Sequence, residues 1–142
     1  MKKNNENTNA FLIHISAFAG FMFPFGHIIT PLIAWQTLKD RSVFLDEQGK
    51  EAVNFNLSYT LYVFLLTIAF IPFAFSSFSR NWGNFNHHFD FDLNINNIFG
   101  FIGFGSITGI IYIIGIALVI IASIKAREGE NYKYPFTIKF VK

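Results

Sequence analysis

Four side chains in this sequence have the types and the spacing to hold a metal: His87, His88, Asp90 and Asp92. Imidazole nitrogen and carboxylate oxygen both ligate zinc, and a closed site takes about four such ligands held in place by further hydrogen bonds. Here the acids alternate with Phe89 and Phe91 in an asparagine-rich stretch, so the ordinary reading is a solvated loop and a metal site is the alternative. His14 and His27 stand alone and read as interfacial or helix-bonded histidines. The chain has no cysteine, which excludes thiol catalysis, Cys-ligated zinc and a disulfide scaffold. Nucleophile, phosphate-loop and zinc-protease motifs are absent. The expectation is a protein that is not an enzyme, holds no cofactor and binds no nucleic acid.

The elements that position these residues follow from where charge is missing. Of 142 residues, 52% are hydrophobic, 19% aromatic and only 14% charged, with 20 phenylalanines, whereas a soluble surface needs about a quarter charged residues. Phe11 to Leu38, Ala52 to Ser79 and Leu93 to Ile124 contain no Asp, Glu, Lys or Arg. An unpaired charge in hydrocarbon costs several kcal/mol while a helix satisfies its own backbone. Each stretch exceeds the ~20 residues that cross a bilayer core of ~30 Å. These features predict an all-α integral membrane protein with the lipid bilayer as its first partner. A cleaved leader is the rival reading of the first stretch, since Lys2 and Lys3 precede an apolar run and Ala17-Phe18-Ala19 imitates a cleavage site. Against it, His14 interrupts the run and the apolar character continues to Trp35.

Pro24-Phe25-Gly26 breaks the first stretch, joining a residue with no amide proton to one that turns freely, and Pro31 follows. A single crossing and a hairpin-like pair of short helices both remain open, giving three to four helices in all. The legs are short for a crossing, since Asn9 to Phe23 spans only ~22 Å and His27 to Leu38 ~18 Å as helix. The hairpin is favoured by the positive charges, which are retained in the cytoplasm. It puts Lys2, Lys3, Lys39, Arg41, Lys50, Lys125, Arg127, Lys133, Lys139 and Lys142 on one side and Arg80 alone on the other. The resulting plan is one membrane domain in the cell (inner) membrane. It comprises a polar amino tail (1–10), the broken apolar segment (11–38), a cytoplasmic loop (39–51) and a second span (52–79). An outer loop (80–98), a third span starting near Phe99 (99–124) and a short extended cytoplasmic carboxyl tail (125–142) complete it.

Acidic Asp46, Glu47 and Glu51 suit a helix start. Asn54, Asn56 and Ser58 then enter the apolar region, where such groups bond to neighbouring helices or line a polar path. Pro72 is expected to bend the second span. In the third, Gly105-Ser106-Ile107-Thr108-Gly109 is a small-xxx-small pattern for close helix approach, within the chain or between copies. No acidic residue lies inside a span, which weakens a proton-coupled transporter. Tyr132 to Lys142 alternates apolar and polar residues as an extended segment does, suited to the headgroup layer or to pairing as a strand.

Taken in order, several separated motifs resemble one family. They are His14-Ile15-Ser16-Ala17 with Ala19-Gly20, Pro24-Phe25-Gly26, and Pro31-Leu32-Ile33 with Trp35. Asp46-Glu47-Gln48-Gly49-Lys50-Glu51-Ala52 then runs into Asn54-Phe55 and Ser58, and Tyr134-Pro135-Phe136-Thr137-Ile138-Lys139-Phe140 closes the series. The family is the Tic-twenty-like group of small bacterial membrane proteins of unknown function, which includes the magnetosome proteins MamF and MmsF. Asn56 stands where the family usually has Gln, and the loop from Ser76 to Asn97 is longer than usual. The resemblance implies a helical membrane protein. Its chloroplast relatives belong to a protein-import translocon and its magnetosome relatives influence crystal growth. The favoured function is a noncatalytic assembly protein that binds a second copy or other membrane proteins. The alternatives are a translocation or solute-transport component lined by Asn54, Asn56, Ser58 and Thr108, and a metal-binding protein using the outer His/Asp loop.

Overall fold

Apolar segments that leave water must pair their own backbone groups, and the described residues of each do so as helix apart from the turn at 22–25. The computed structural model describes residues 2–82 and 95–142, with side chains described for 4–75 and 98–142. Helix α1 spans Lys2–Ile15 and passes into a 3₁₀ segment, Ser16–Phe21. Helix α2 follows at Gly26–Leu38, a 3₁₀ turn at Lys39–Arg41, α3 at Val43–Trp82 and α4 at Ile95–Glu128. No strand occurs among the described residues, and the end of the chain is extended without pairing as one. The protein is an all-α integral membrane protein.

Several boundaries differ from those read off the charge pattern. The polar amino tail is helical from Lys2, since its Asn-rich run holds no Pro or Gly to stop a helix. Most of the expected loop at 39–51 belongs to α3. Ser42 is extended and its Oγ accepts the Leu45 amide at 3.3 Å, a cap that starts the helix ahead of the charged residues. The Asp46–Lys50 pair, 2.6 Å apart and one turn on, supports that first stretch. With Pro72 inside it, α3 continues past Ser79 to Trp82, and α4 begins at Ile95 rather than Phe99. At its far end α4 runs past Ile124 to Glu128. Gly129 at φ 81 ends it, with Glu130 N–H on the Lys125 carbonyl and Gly129 N–H on that of Ala126, both 3.0 Å, the 6→1 and 5→2 bonds of a Schellman motif.

The chain forms two compact units: 1–61 with 114–142, and 62–113. In the first, α1 and α2 make the hairpin. Gly26 sits against the Ala19 backbone, where a Cβ would overlap the carbonyl, and the Thr30 hydroxyl reaches the Ser16 carbonyl at 2.6 Å. Phe25, in the left-handed region at φ 62, turns the chain between the legs. Asn7 Nδ2 donates to the Arg127 carbonyl at 3.1 Å, so the start of α1 and the end of α4 share one end of this unit. That is the hairpin's arrangement and not the single crossing's. Ala10, Ile13, Leu45, Ala52 and Ala126 form one core, with Leu38 and Phe44 against it. Ala17, Phe55, Val119, Ala122 and Tyr134 form another.

The second unit is held by aromatic packing, Phe70 stacking on Phe104 at 3.9 Å and meeting Phe101 edge-on at 5.6 Å. The helical stretches Val43–Phe75 and Ile98–Glu128 are long and apolar enough to cross a membrane. Only 6% and 22% of their most apolar windows are buried. A core helix of a water-soluble protein buries its apolar stripe; these present theirs outward, as a bilayer requires.

Candidate functional site: a buried polar latch

The motifs that were scattered along the sequence meet in the first unit. Helix α1 brings His14, the opening turns of α3 bring Asp46 to Ser58, and the extended chain after α4 brings Asn131 to Val141. His14 is fully buried, yet both ring nitrogens are bonded. Its Nε2 lies 2.8 Å from Gln48 Oε1 and its Nδ1 3.0 Å from the Tyr134 hydroxyl. Gln48 Nε2 donates to Asn131 Oδ1 at 3.1 Å, and Asn131 Nδ2 donates to Glu47 Oε2 at 2.8 Å.

The Glu47 carboxylate sets the sense of this series. An ionised carboxylate only accepts, so Asn131 must turn its NH₂ toward Glu47 and its oxygen toward Gln48. Gln48 is then oriented with its oxygen toward His14, which carries its proton on Nε2. His14 Nδ1 accepts, and the Tyr134 O–H donates. A chain of four hydrogen bonds therefore runs in one direction from a buried phenol to an exposed carboxylate. Burial pushes the Tyr134 phenol well above its ordinary value of 10.0, with Tyr132 and Glu51 adding to the shift, so the proton the chain requires is retained.

A second set of bonds fastens the tail along α3. The Tyr134 amide lies 3.3 Å from Glu51 Oε2, the Ile138 amide donates to Ser58 Oγ at 2.8 Å, and Asn54 pairs with Val141 in both senses. In that pair Nδ2 donates to the carbonyl at 2.9 Å and Oδ1 accepts the amide at 2.8 Å. Phe55 stacks on Tyr134 with ring centroids 4.0 Å apart and planes 11° apart. On the other side of α3, Trp35 lies against Gly49, where a Cβ would overlap its ring, and its Nε1 donates to Asp46 Oδ1 at 2.9 Å.

The structure thus brings together His14, Glu47, Gly49, Glu51, Asn54, Phe55, Ser58 and Tyr134. Pro24, Gly26 and Pro31 sit apart from them in the α1–α2 hairpin, Pro31 buried inside α2 and Pro24 exposed in the turn. Pro135 is exposed beside Tyr134. His27 bonds Thr60 through Nε2 at 2.8 Å. Asn56 returns its Nδ2 to the Ala52 carbonyl and Thr108 its hydroxyl to that of Phe104, both 2.8 Å. A Cβ at Gly105 or Gly109 would meet no atom within 4 Å. Close approach within the chain falls instead to Gly100, against Phe73, and Gly115, against Tyr59. His87, His88, Asp90 and Asp92 lie outside the described residues. Among the described residues no group of three or more His, Cys, Asp or Glu could hold a metal ion. Sequence reasoning missed Asn131. Its one signal was its place just past Gly129, where a chain leaving a helix turns back.

These features define a class: a helical membrane protein whose amino-terminal hairpin, first long helix and carboxyl tail are locked by a buried polar network. The chain belongs to the magnetosome magnetite crystal formation protein family, whose model matches residues 5–141. No curated protein and no solved structure matches it.

Proposed function

We infer that this protein is a noncatalytic assembly component of a bacterial membrane, joining copies of itself or other membrane proteins. The family description points to a magnetite-forming compartment as its setting. The observation that carries this reading is where its polar side chains go. Asn54 and Ser58 bond the tail, while Asn56 and Thr108 bond their own helices. The groups that could line a solute path thus serve the chain's own cohesion, while among the described residues nothing covers Gly105 or Gly109. The end shared by Asn7 and Arg127 gathers the basic flanks and is assigned to the cytoplasm. Crosslinking and native mass measurement in gentle detergent test the assembly. Species heavier than the monomer, or a copurifying membrane partner, support it. A strict monomer with no partner contradicts it.

A further inference from the structure

The tail's path over α3 is a loop with an apex. Tyr134 is fastened at Glu51, Ile138 at Ser58 and Val141 at Asn54. With ~1.5 Å of rise per residue, the chain climbs about 10 Å along α3 toward its apolar part and returns about 6 Å. On the climbing leg, between Tyr134 and the apex at Ile138, stands Phe136, 89% exposed and in the left-handed region at φ 57, a conformation that costs a bulky residue. Ile138 and Phe140 are also exposed. Lys133 precedes the apex, Lys139 and Lys142 follow it, and no acidic residue occurs from 131 to 142.

The charges around this loop are unequal. Lys125 is paired with Glu128 and Glu130, whereas Lys133, Lys139 and Lys142 are exposed and make no ion pair among the described residues. The acids nearest the tail are engaged, Glu47 by Asn131 and Glu51 by the Tyr134 amide. A second apolar display lies at the same height on α3. The His27–Thr60 bond places the hairpin turn there, with Phe21, Met22, Phe23 and Phe25 exposed. Exposed Phe136, Ile138 and Phe140 thus alternate with exposed lysines that make no ion pair among the described residues, a mixture of apolar and cationic side chains suited to a membrane interface.

We propose that Lys133 to Lys142 is a docking surface for anionic phospholipid, with Phe136, Ile138 and Phe140 entering the interface and Lys133, Lys139 and Lys142 meeting headgroup phosphates. This rests on the membrane reading and adds a lipid preference to it. The chain has no cysteine, so full-length Phe136→Cys carries a single spin label. The protein is reconstituted in nanodiscs of phosphatidylcholine with and without phosphatidylglycerol, and the label's accessibility to a water-soluble nickel chelate is measured. Shielding stronger in the anionic discs is expected. It weakens by up to roughly fivefold for each lysine changed to Gln at low salt and is kept by Lys→Arg. Equal accessibility in both discs, or shielding reproduced by inorganic phosphate in phosphatidylcholine discs, overturns the proposal. Copurification of the protein with the discs is scored separately, so a failed lipid preference is distinguished from a failed membrane reading.

Discussion

The two units use the same kinds of residue differently. In the unit 1–61 with 114–142, a glycine exists because a ring lies on it, and buried amides and hydroxyls join segments more than 80 residues apart in sequence, as Asn54 does with Val141. In the unit 62–113 the described hydroxyls of Thr67 and Thr108 bond back to their own helices, as Asn56 and Ser123 also do in the first, but neither hydroxyl joins distant segments. Phe70 stacks on Phe104 there, and a Cβ at Gly103, Gly105 or Gly109 would meet no other described residue. Polar bonding gives the first unit a unique arrangement at the cost of leaving unsatisfied groups when any partner is lost. The second leaves large apolar side chains such as Phe64, Ile110 and Ile113 exposed among its described residues.

The same substitution should therefore have very unequal effects in the two places. Gly49→Leu must expel Trp35 and with it the Asp46 bond, and a loss of ~3 kcal/mol or more, beyond the ordinary cost of overpacking, is expected in detergent denaturation. His14→Ala comes next. It leaves the Tyr134 hydroxyl and Gln48 Oε1 without partners beside a new cavity, for about 2–4 kcal/mol by the same measurement. Asn54→Ala removes two bonds to Val141 and should cost about 1–3 kcal/mol. It should also speed trypsin cleavage at Lys139 in the membrane-embedded protein.

Tyr134 supplies a test by pH. Its folded pKa is raised, so its stabilisation is fully present below the unfolded value near 10 and is lost as pH rises through the folded value. Unfolding midpoints should fall with alkali above about pH 10, and Tyr134→Phe should flatten that part of the profile. The smallest effect on stability belongs to Gly105→Leu with Gly109→Leu, within about 0.5 kcal/mol of the parent. Their expected signature is loss of the crosslinked species. A large destabilisation there would erase the distinction between the units.

Much of this was legible in the sequence, for reasons that differ by residue. The uncharged stretches gave the helices because burying charge in lipid is costly. Pro24-Phe25-Gly26 gave the hairpin because neither Pro nor Gly suits a helix interior. The ends were misjudged wherever hydropathy stood in for capping: Ser42 starts α3 among charged residues, and Gly129 stops α4 beyond the last apolar one. His14, Glu51, Asn54, Ser58 and Tyr134 were recognisable as a set by resemblance, but their meeting was not. A directed series through Gln48 and Asn131 depends on side-chain orientation across segments far apart in sequence, and no local spacing encodes it.

The most direct measurement is amide hydrogen exchange at Ile138 and Val141 in the reconstituted full-length protein. Amides in an extended segment outside any helix or strand ordinarily exchange at nearly the rate of an unfolded peptide. With the tail latched to α3, both amides should be protected, Val141 losing its protection in Asn54→Ala while the α3 amides near Phe55 keep theirs. Exchange of both at the unfolded rate in the parent protein would contradict the latch.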